Sequence, residues 1–166
     1  MKVVFLDVDG VLNNSRTNSR TPEGFTGISN TLLDRFAHFV KETDAKIVLT
    51  STWKEEWDKN PKMCAPDGAY LARKLRQKGV YILDKTDESA TGMARRGAAI
   101  KLYLDSHPEI DDFVVLDDNE FDFYDYPEIA ERFVHTNEVE GLTNLDIEKA
   151  TAILRDEDMS RFEEYE

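Results

Sequence analysis

Val3-Val4-Phe5-Leu6-Asp7-Val8-Asp9-Gly10-Val11-Leu12 runs from an apolar stretch straight into two carboxylates and a glycine. Val3 to Leu6 reads as a buried strand. Unpaired acids have no place in such a strand, because a buried lone charge is costly. Residues two apart on a strand point the same way, so Asp7 and Asp9 are expected to share one pocket beyond the strand end. Two acids there suit a metal ion, with one serving as nucleophile and the other handling protons.

The rest of the chain alternates apolar runs with helical periods. Lys46–Thr50, Val80–Leu83, Phe113–Leu116 and Phe133-Val134 read as further strands. Leu32, Leu33, Phe36, Phe39 and Val40 mark a helix, for which Thr31 and Asp34 resemble a capping box. Tyr70, Leu71 and Leu75 mark a second helix stopping near Gly79, and Ala98–Leu104 a third, closed by His107-Pro108. Asn144 is placed to cap a last helix carrying Ile147, Ala150, Ile153 and Leu154. Strands separated by helices imply an α/β fold, a parallel sheet of about five strands with helices on both faces. Ligands bind beyond the carboxyl ends of such strands. Asp7 and Asp9, Thr50-Ser51 and Asp117-Asp118 all fall at those ends.

Composition narrows the function. The 166 residues suffice for one domain, 1–166, with an acidic tail at about 156–166. Hydrophobic residues make up 40% and charged residues 33%, which fits a globular rather than a disordered chain. No apolar stretch approaches the ~20 residues of a membrane helix, and no leader pattern precedes the first strand. The single cysteine, Cys64, has no internal partner, which fits a reducing, cytoplasmic setting. A net charge of −13 argues against an extended nucleic-acid surface, though a cation and local arginines could still admit a polyanion. His38, His107 and His135 show no metal-ligand spacing.

Asp7-Val8-Asp9-Gly10-Val11-Leu12 resembles the first motif of the haloacid dehalogenase (HAD) superfamily. Thr50 after Ile47-Val48-Leu49 resembles its second, and Leu116-Asp117-Asp118 its fourth. The resemblance covers roughly Lys2 to Thr136. It implies a Rossmann-like HAD core and a Mg²⁺-dependent phosphatase. Asp7 would attack phosphorus and form an aspartyl-phosphate. Asp9 would protonate the leaving oxygen and then activate water. Mg²⁺ would lie among Asp7, Asp117 and the backbone carbonyl of Asp9, with Asp118 joining through water or orienting its neighbours. This donor set suits a hard cation that keeps water and phosphate oxygens. Thr50 would bond the phosphoryl oxygens, with Ser51 as its alternative.

For the third-motif cation the chain offers Arg95, Arg96 and Lys101. Arg96 is preferred, because a residue at the helix start can face the site. It departs from the usual lysine and would hold phosphate by a fork. The stretches 13–30 and 52–95 leave no room for a large cap, so a capless, open site is expected.

A closer resemblance joins Val48-Leu49-Thr50-Ser51-Thr52-Trp53-Lys54, Arg96-Gly97, Val115-Leu116-Asp117-Asp118-Asn119, Phe133-Val134-His135-Thr136 and Gly141-Leu142-Thr143. These are similar to the HAD domains of Swiss Army Knife RNA-repair proteins, a group related to the phosphatase half of polynucleotide kinase-phosphatase. By that analogy the substrate is a terminal phosphate on nucleic acid, a 3′-phosphate first. Arg16 and Arg20 would then contact phosphates, or belong to an ordinary solvated loop. Trp53 would stack on a base, or pair with Trp57 in the core. Small phosphate monoesters such as nucleotides or sugar phosphates are the competing substrates. A receiver-like phosphoacceptor or binding module is the competing class, and Asp9 speaks against it because it promotes turnover of the phosphoenzyme.

Overall fold

The computed structural model describes residues 1–165; Glu166, the last residue of the expected acidic tail, lies outside them. Five strands form one parallel sheet: β1 (Lys2–Leu6), β2 (Lys46–Leu49), β3 (Ile82–Lys85), β4 (Asp112–Asp117) and β5 (Phe133–His135). The order across the sheet is β3-β2-β1-β4-β5, so the strand carrying the paired acids is central. The helices are α1 (Asn30–Thr43), α2 (Pro66–Gln77), α3 (Arg96–Ser106), α4 (Pro127–Ala130) and α5 (Asn144–Leu154).

The central strands β1, β2 and β4 carry continuous buried apolar runs because both sheet faces are covered there. Val4, Leu6, Ile47, Leu49, Val114 and Leu116 point to one face, where they join Leu33, Phe36 and Phe39 of α1, Leu71 and Leu75 of α2, and Ala150 and Leu154 of α5. The alternate residues Val3, Phe5, Val48, Phe113 and Val115 join Ile100 and Tyr103 of α3, Phe123, and Ile129 of α4. Alternation within a continuous apolar run thus feeds two cores.

The five strands and four of the five helices follow the sequence reading, which did not include α4, and several boundaries shift. The cap of α1 is Ser29, whose side chain accepts from Leu32 N, rather than Thr31. The cap of α5 is Thr143, in a reciprocal box with Asp146, one residue before Asn144. The third strand begins at Ile82 instead of Val80. The left-handed Gly79 ends α2 by bonding Arg76 O, and Val80 N turns back to Leu75 O at 3.2 Å, so Val80 is consumed by the helix terminus.

Residues 13–29 hold turns and one antiparallel bridge, Arg20 with Thr26, and no helix. Trp53 lies in a short 3₁₀ turn, Thr52–Glu56, and both Trp53 and Trp57 are buried in the first core. Beyond α5, Ser160–Tyr165 forms a further 3₁₀ turn in which Phe162 is buried. No helix among the described residues is long and apolar enough to cross a membrane.

Candidate active site

Parallel registry sets the site. Asp7 follows β1, its amide bonding Leu116 O of β4 at 3.0 Å, and Thr50 follows β2, its amide bonding Leu6 O at 3.0 Å. Asp117 closes β4. Neighbouring parallel strands therefore end at one level and bring Asp7, Thr50 and Asp117 together. Asp7, Asp117 and Asp118 each offer a carboxylate oxygen within 4.8 Å of the others. Asp7 and Asp117 are buried.

Gly10 makes this packing possible. Its φ is +80°, and an added Cβ would fall 2.2 Å from Asp118 Oδ2. Gly10→Ala is expected to displace Asp118, lowering any turnover at these acids at least about tenfold and stability by ~1–3 kcal/mol. Activity and chemical unfolding measured together test this; a variant matching the parent in both would refute the close approach.

Arg96 begins α3 and reaches both buried acids. Its Nη1 donates to Asp7 Oδ1 at 3.0 Å and to Asp117 Oδ2 at 2.8 Å. Phe121, in left-handed backbone at φ 42°, lies with its ring centroid 4.4 Å from the guanidinium carbon. Asp122 fixes the helix start, accepting from Gly97 N at 2.6 Å and Ala98 N at 3.1 Å. Arg95 is exposed and 3.7 Å from Asp122, while Lys101 pairs with Asp105 at 2.7 Å on the helix flank. Of the three candidate cations, Arg96 is the one brought to the carboxylates.

Asp9 is exposed and its carboxylate lies apart from that cluster. Asn13 Nδ2 donates to Oδ1 at 2.8 Å and Trp53 Nε1 to Oδ2 at 3.1 Å. The buried Asn13 also accepts from Gly10 N at 2.9 Å, so one amide ties the motif turn to its second acid. The Trp53 indole is thus engaged with Asp9 and packed in the core. Ser51 accepts from Trp53 N and caps the 3₁₀ turn. Thr50 Oγ1 is fully buried with no partner. An orphan hydroxyl beside buried acids is costly unless a ligand oxygen completes it. The carboxylate cluster and this hydroxyl fit a hard divalent cation and a phosphoryl group.

Arg16 and Arg20 are exposed and stand outside this constellation. Arg16 pairs with Glu140 at 3.3 Å, and Arg20 Nη1 bonds Thr26 Oγ1 at 3.4 Å. Residues the sequence reading left without a role also converge. Lys54, buried, donates to Thr50 O at 3.1 Å and forms an ion pair with Glu88 at 3.1 Å, and Glu88 lies 3.8 Å from Arg96 Nε. Thr136 Oγ1 donates to Gly10 O at 2.8 Å. Lys54 falls four residues after Thr50, one turn away, which was the one local signal available.

Burial raises the carboxyl pKa of Asp7 well above the ordinary range, and repulsion from Asp117 adds to it, while Arg96 opposes. Burial likewise pushes Asp117 up to about 6 against the pull of Arg96 and Asn119 N. Burial works against the charge of Arg96, but Asp7 and Asp117 more than offset it, so the guanidinium stays charged. A carboxyl with a raised folded pKa binds more protons folded than unfolded, so stability is gained as pH falls through the folded value and lost above it. Without metal, Tm is therefore expected to rise by a few degrees as pH drops from about 8 to about 5.5. Mg²⁺ should remove the penalty at the upper end and have little effect at the lower. Thermal unfolding in EDTA and in Mg²⁺ checks this, with Asp7→Asn separating the site from the general acidity of the chain. A metal-free Tm that falls over that interval would refute the assignment.

The sheet order and the acids at its central strand ends define a HAD-superfamily hydrolase, an enzyme of the phosphoric monoester hydrolase type. The family model described as the HAD domain in Swiss Army Knife RNA repair proteins matches residues 3–147, and the chain belongs to that family. Among solved structures, the cobalt-bound deoxy-D-mannose-octulosonate 8-phosphate phosphatase of Haemophilus influenzae is similar at 11% identity, covering 93% of this chain and 86% of that one, with a TM-score of 0.48. Comparison with curated proteins gives no match.

Proposed function

We propose that the chain removes a terminal phosphate from a monoester through an aspartyl-phosphate on Asp7, with Mg²⁺ as cofactor. The observation that carries this reading is the buried, unpartnered Thr50 hydroxyl at the same sheet end as the Asp7–Arg96–Asp117 cluster. Asp7, Asp117 and Asp118 would hold the cation, with the backbone carbonyl of Asp9. When bound, it offsets the repulsion between an anionic nucleophile and an anionic ester.

An Asp7 oxygen forms a bond to phosphorus as the ester oxygen departs. Protonated Asp9 gives that oxygen its proton and leaves as carboxylate. Asp9 then takes a proton from water, whose oxygen bonds phosphorus while the Asp7–phosphorus bond breaks. Inorganic phosphate leaves and both acids are restored. Asn13 and Trp53 hold Asp9 in place for both transfers. Arg96 and Thr50 donate to the phosphoryl oxygens as charge builds.

For the leaving group we take a nucleic-acid end, which the family's description as a domain of RNA repair proteins supports, and among such ends a 3′-phosphate first. A small monoester is the second reading, favoured by an acid-lined cavity beside Asp9. Cys64, free and part-buried, is consistent with a cytoplasmic setting. Phosphate release should be measured from a 3′-phosphorylated oligonucleotide, a 5′-phosphorylated one and p-nitrophenyl phosphate, with Mg²⁺ or EDTA. Preference for the 3′-phosphorylated end is the expected result. Turnover of the small ester alone would exclude the nucleic-acid end, and none on any of the three would refute the phosphatase reading.

A further inference from the structure

We infer that the cavity beside Asp9 receives the alcohol half of the ester and selects leaving groups that bear hydrogen-bond donors and no negative charge, a cationic amine fitting best. This rests on the phosphatase reading above. The cavity measures about 540 Å³, room for one nucleoside-sized group. Asp9 and Asp118 lie in its wall, so a group seated there adjoins the reacting acids.

Five of the lining residues are acids, and none is lysine or arginine. Trp53 and the exposed Phe25 add flat apolar surface. Glu56 Oε2 is buried with no hydrogen-bond partner. A buried carboxylate oxygen without a donor is costly, and a donor brought by the ligand removes the cost. Asp67 is buried at the start of α2, fixed by Glu23 N at 3.1 Å. Repulsion, chiefly from Glu56 with a smaller part from Asp67, raises the pKa of Glu23, as expected of acids crowded together without a cation. Arg16 and Arg20, the nearest arginines in sequence, are outside the lining and are occupied by Glu140 and Thr26. A second phosphate in this cavity would meet five carboxylates and no cationic side chain, with only neutral donors such as Asn14 and Ser15 to face it. For a nucleic-acid end, the terminal nucleoside would enter and the next phosphodiester would have to leave the cavity at once.

Three esters that differ at one position test this: adenosine 3′-monophosphate with a 5′-amino, 5′-hydroxyl or 5′-phosphate group. Their affinities for Asp7→Asn, which holds ester without turnover, are measured by calorimetry in Mg²⁺ at low salt. The amine should bind at least about tenfold tighter than the 5′-phosphate, with the hydroxyl between, and salt should narrow the gap. Adding Glu56→Gln and Asp67→Asn should reduce the spread to about threefold or less, since the amide replacing the Asp67 carboxylate keeps the acceptor for Glu23 N and loses only charge. Equal affinities, or tighter binding of the 5′-phosphate, would overturn the inference whether or not the triple variant folds. Wild-type turnover of p-nitrophenyl phosphate, run in parallel, reports on the phosphatase reading separately.

Discussion

Asp7→Asn should lose turnover by about 10⁴-fold or more while leaving the fold intact or stronger. The amide cannot attack phosphorus, and no other carboxylate stands in its place. Asp117 is engaged with Arg96 and Asn119 N, and Asp9 is turned to Asn13 and Trp53. The effect on stability has the opposite sign. Burial and the charge of Asp117 disfavour the Asp7 carboxylate more than Arg96 favours it. A neutral isostere relieves that excess, so metal-free stability should hold or rise by ~1 kcal/mol. The Mg²⁺-induced rise in Tm should shrink, because one ligand has lost its charge. Phosphate release, burst measurement and unfolding in EDTA check all three. Activity near that of the parent would refute Asp7 as nucleophile. A fall in metal-free stability of several kcal/mol would show that Arg96 needs Asp7 more than Asp7 is strained.

The central strands were legible because they are short, continuous apolar runs followed by polar residues. Asp7 and Asp117 were legible for the same reason: an acid at the end of a buried strand has few structural uses. Boundaries were less so. Ser29, Asn30 and Thr31 are all capping residues, and only backbone conformation selects Ser29. Val80 is apolar and follows Gly79, yet its amide serves the end of α2.

The relations around the site were hidden for a different reason. The Trp53–Asp9 bond spans 44 residues and the Arg96–Asp7 bond 89. Periodicity carries no information at such separations. Sequence spacing shows that Trp53 and Trp57 share a helical turn, and both are in the core, but not that one indole edge meets a carboxylate. Lys54 and Glu88, which pair beside Arg96, went unread because each residue, taken alone, looks like surface charge.

Arg96 gives the second large effect. Arg96→Met should destabilise the metal-free protein by ~3–5 kcal/mol near neutral pH, since it leaves Asp7 and Asp117 buried without a cation. Methionine fills similar volume, so packing is largely preserved and charge dominates the loss. The deficit must depend on pH. With Arg96 gone, both carboxyls should titrate still higher, and protonation below about pH 5.5 should recover much of the lost stability. Mg²⁺ at neutral pH should recover part of it by the other route, supplying positive charge between the same acids. Arg96→Lys keeps a charge but loses the planar guanidinium over Phe121 and the Nε beside Glu88, and should fall between. Turnover should drop by about 10²–10³-fold for Arg96→Met even with saturating Mg²⁺, because the metal replaces the charge and not the hydrogen bonds to the phosphoryl group. Urea unfolding at two pH values, with and without metal, separates these contributions. A deficit that stayed constant across pH would assign the loss to packing against Phe121 instead of to uncompensated charge.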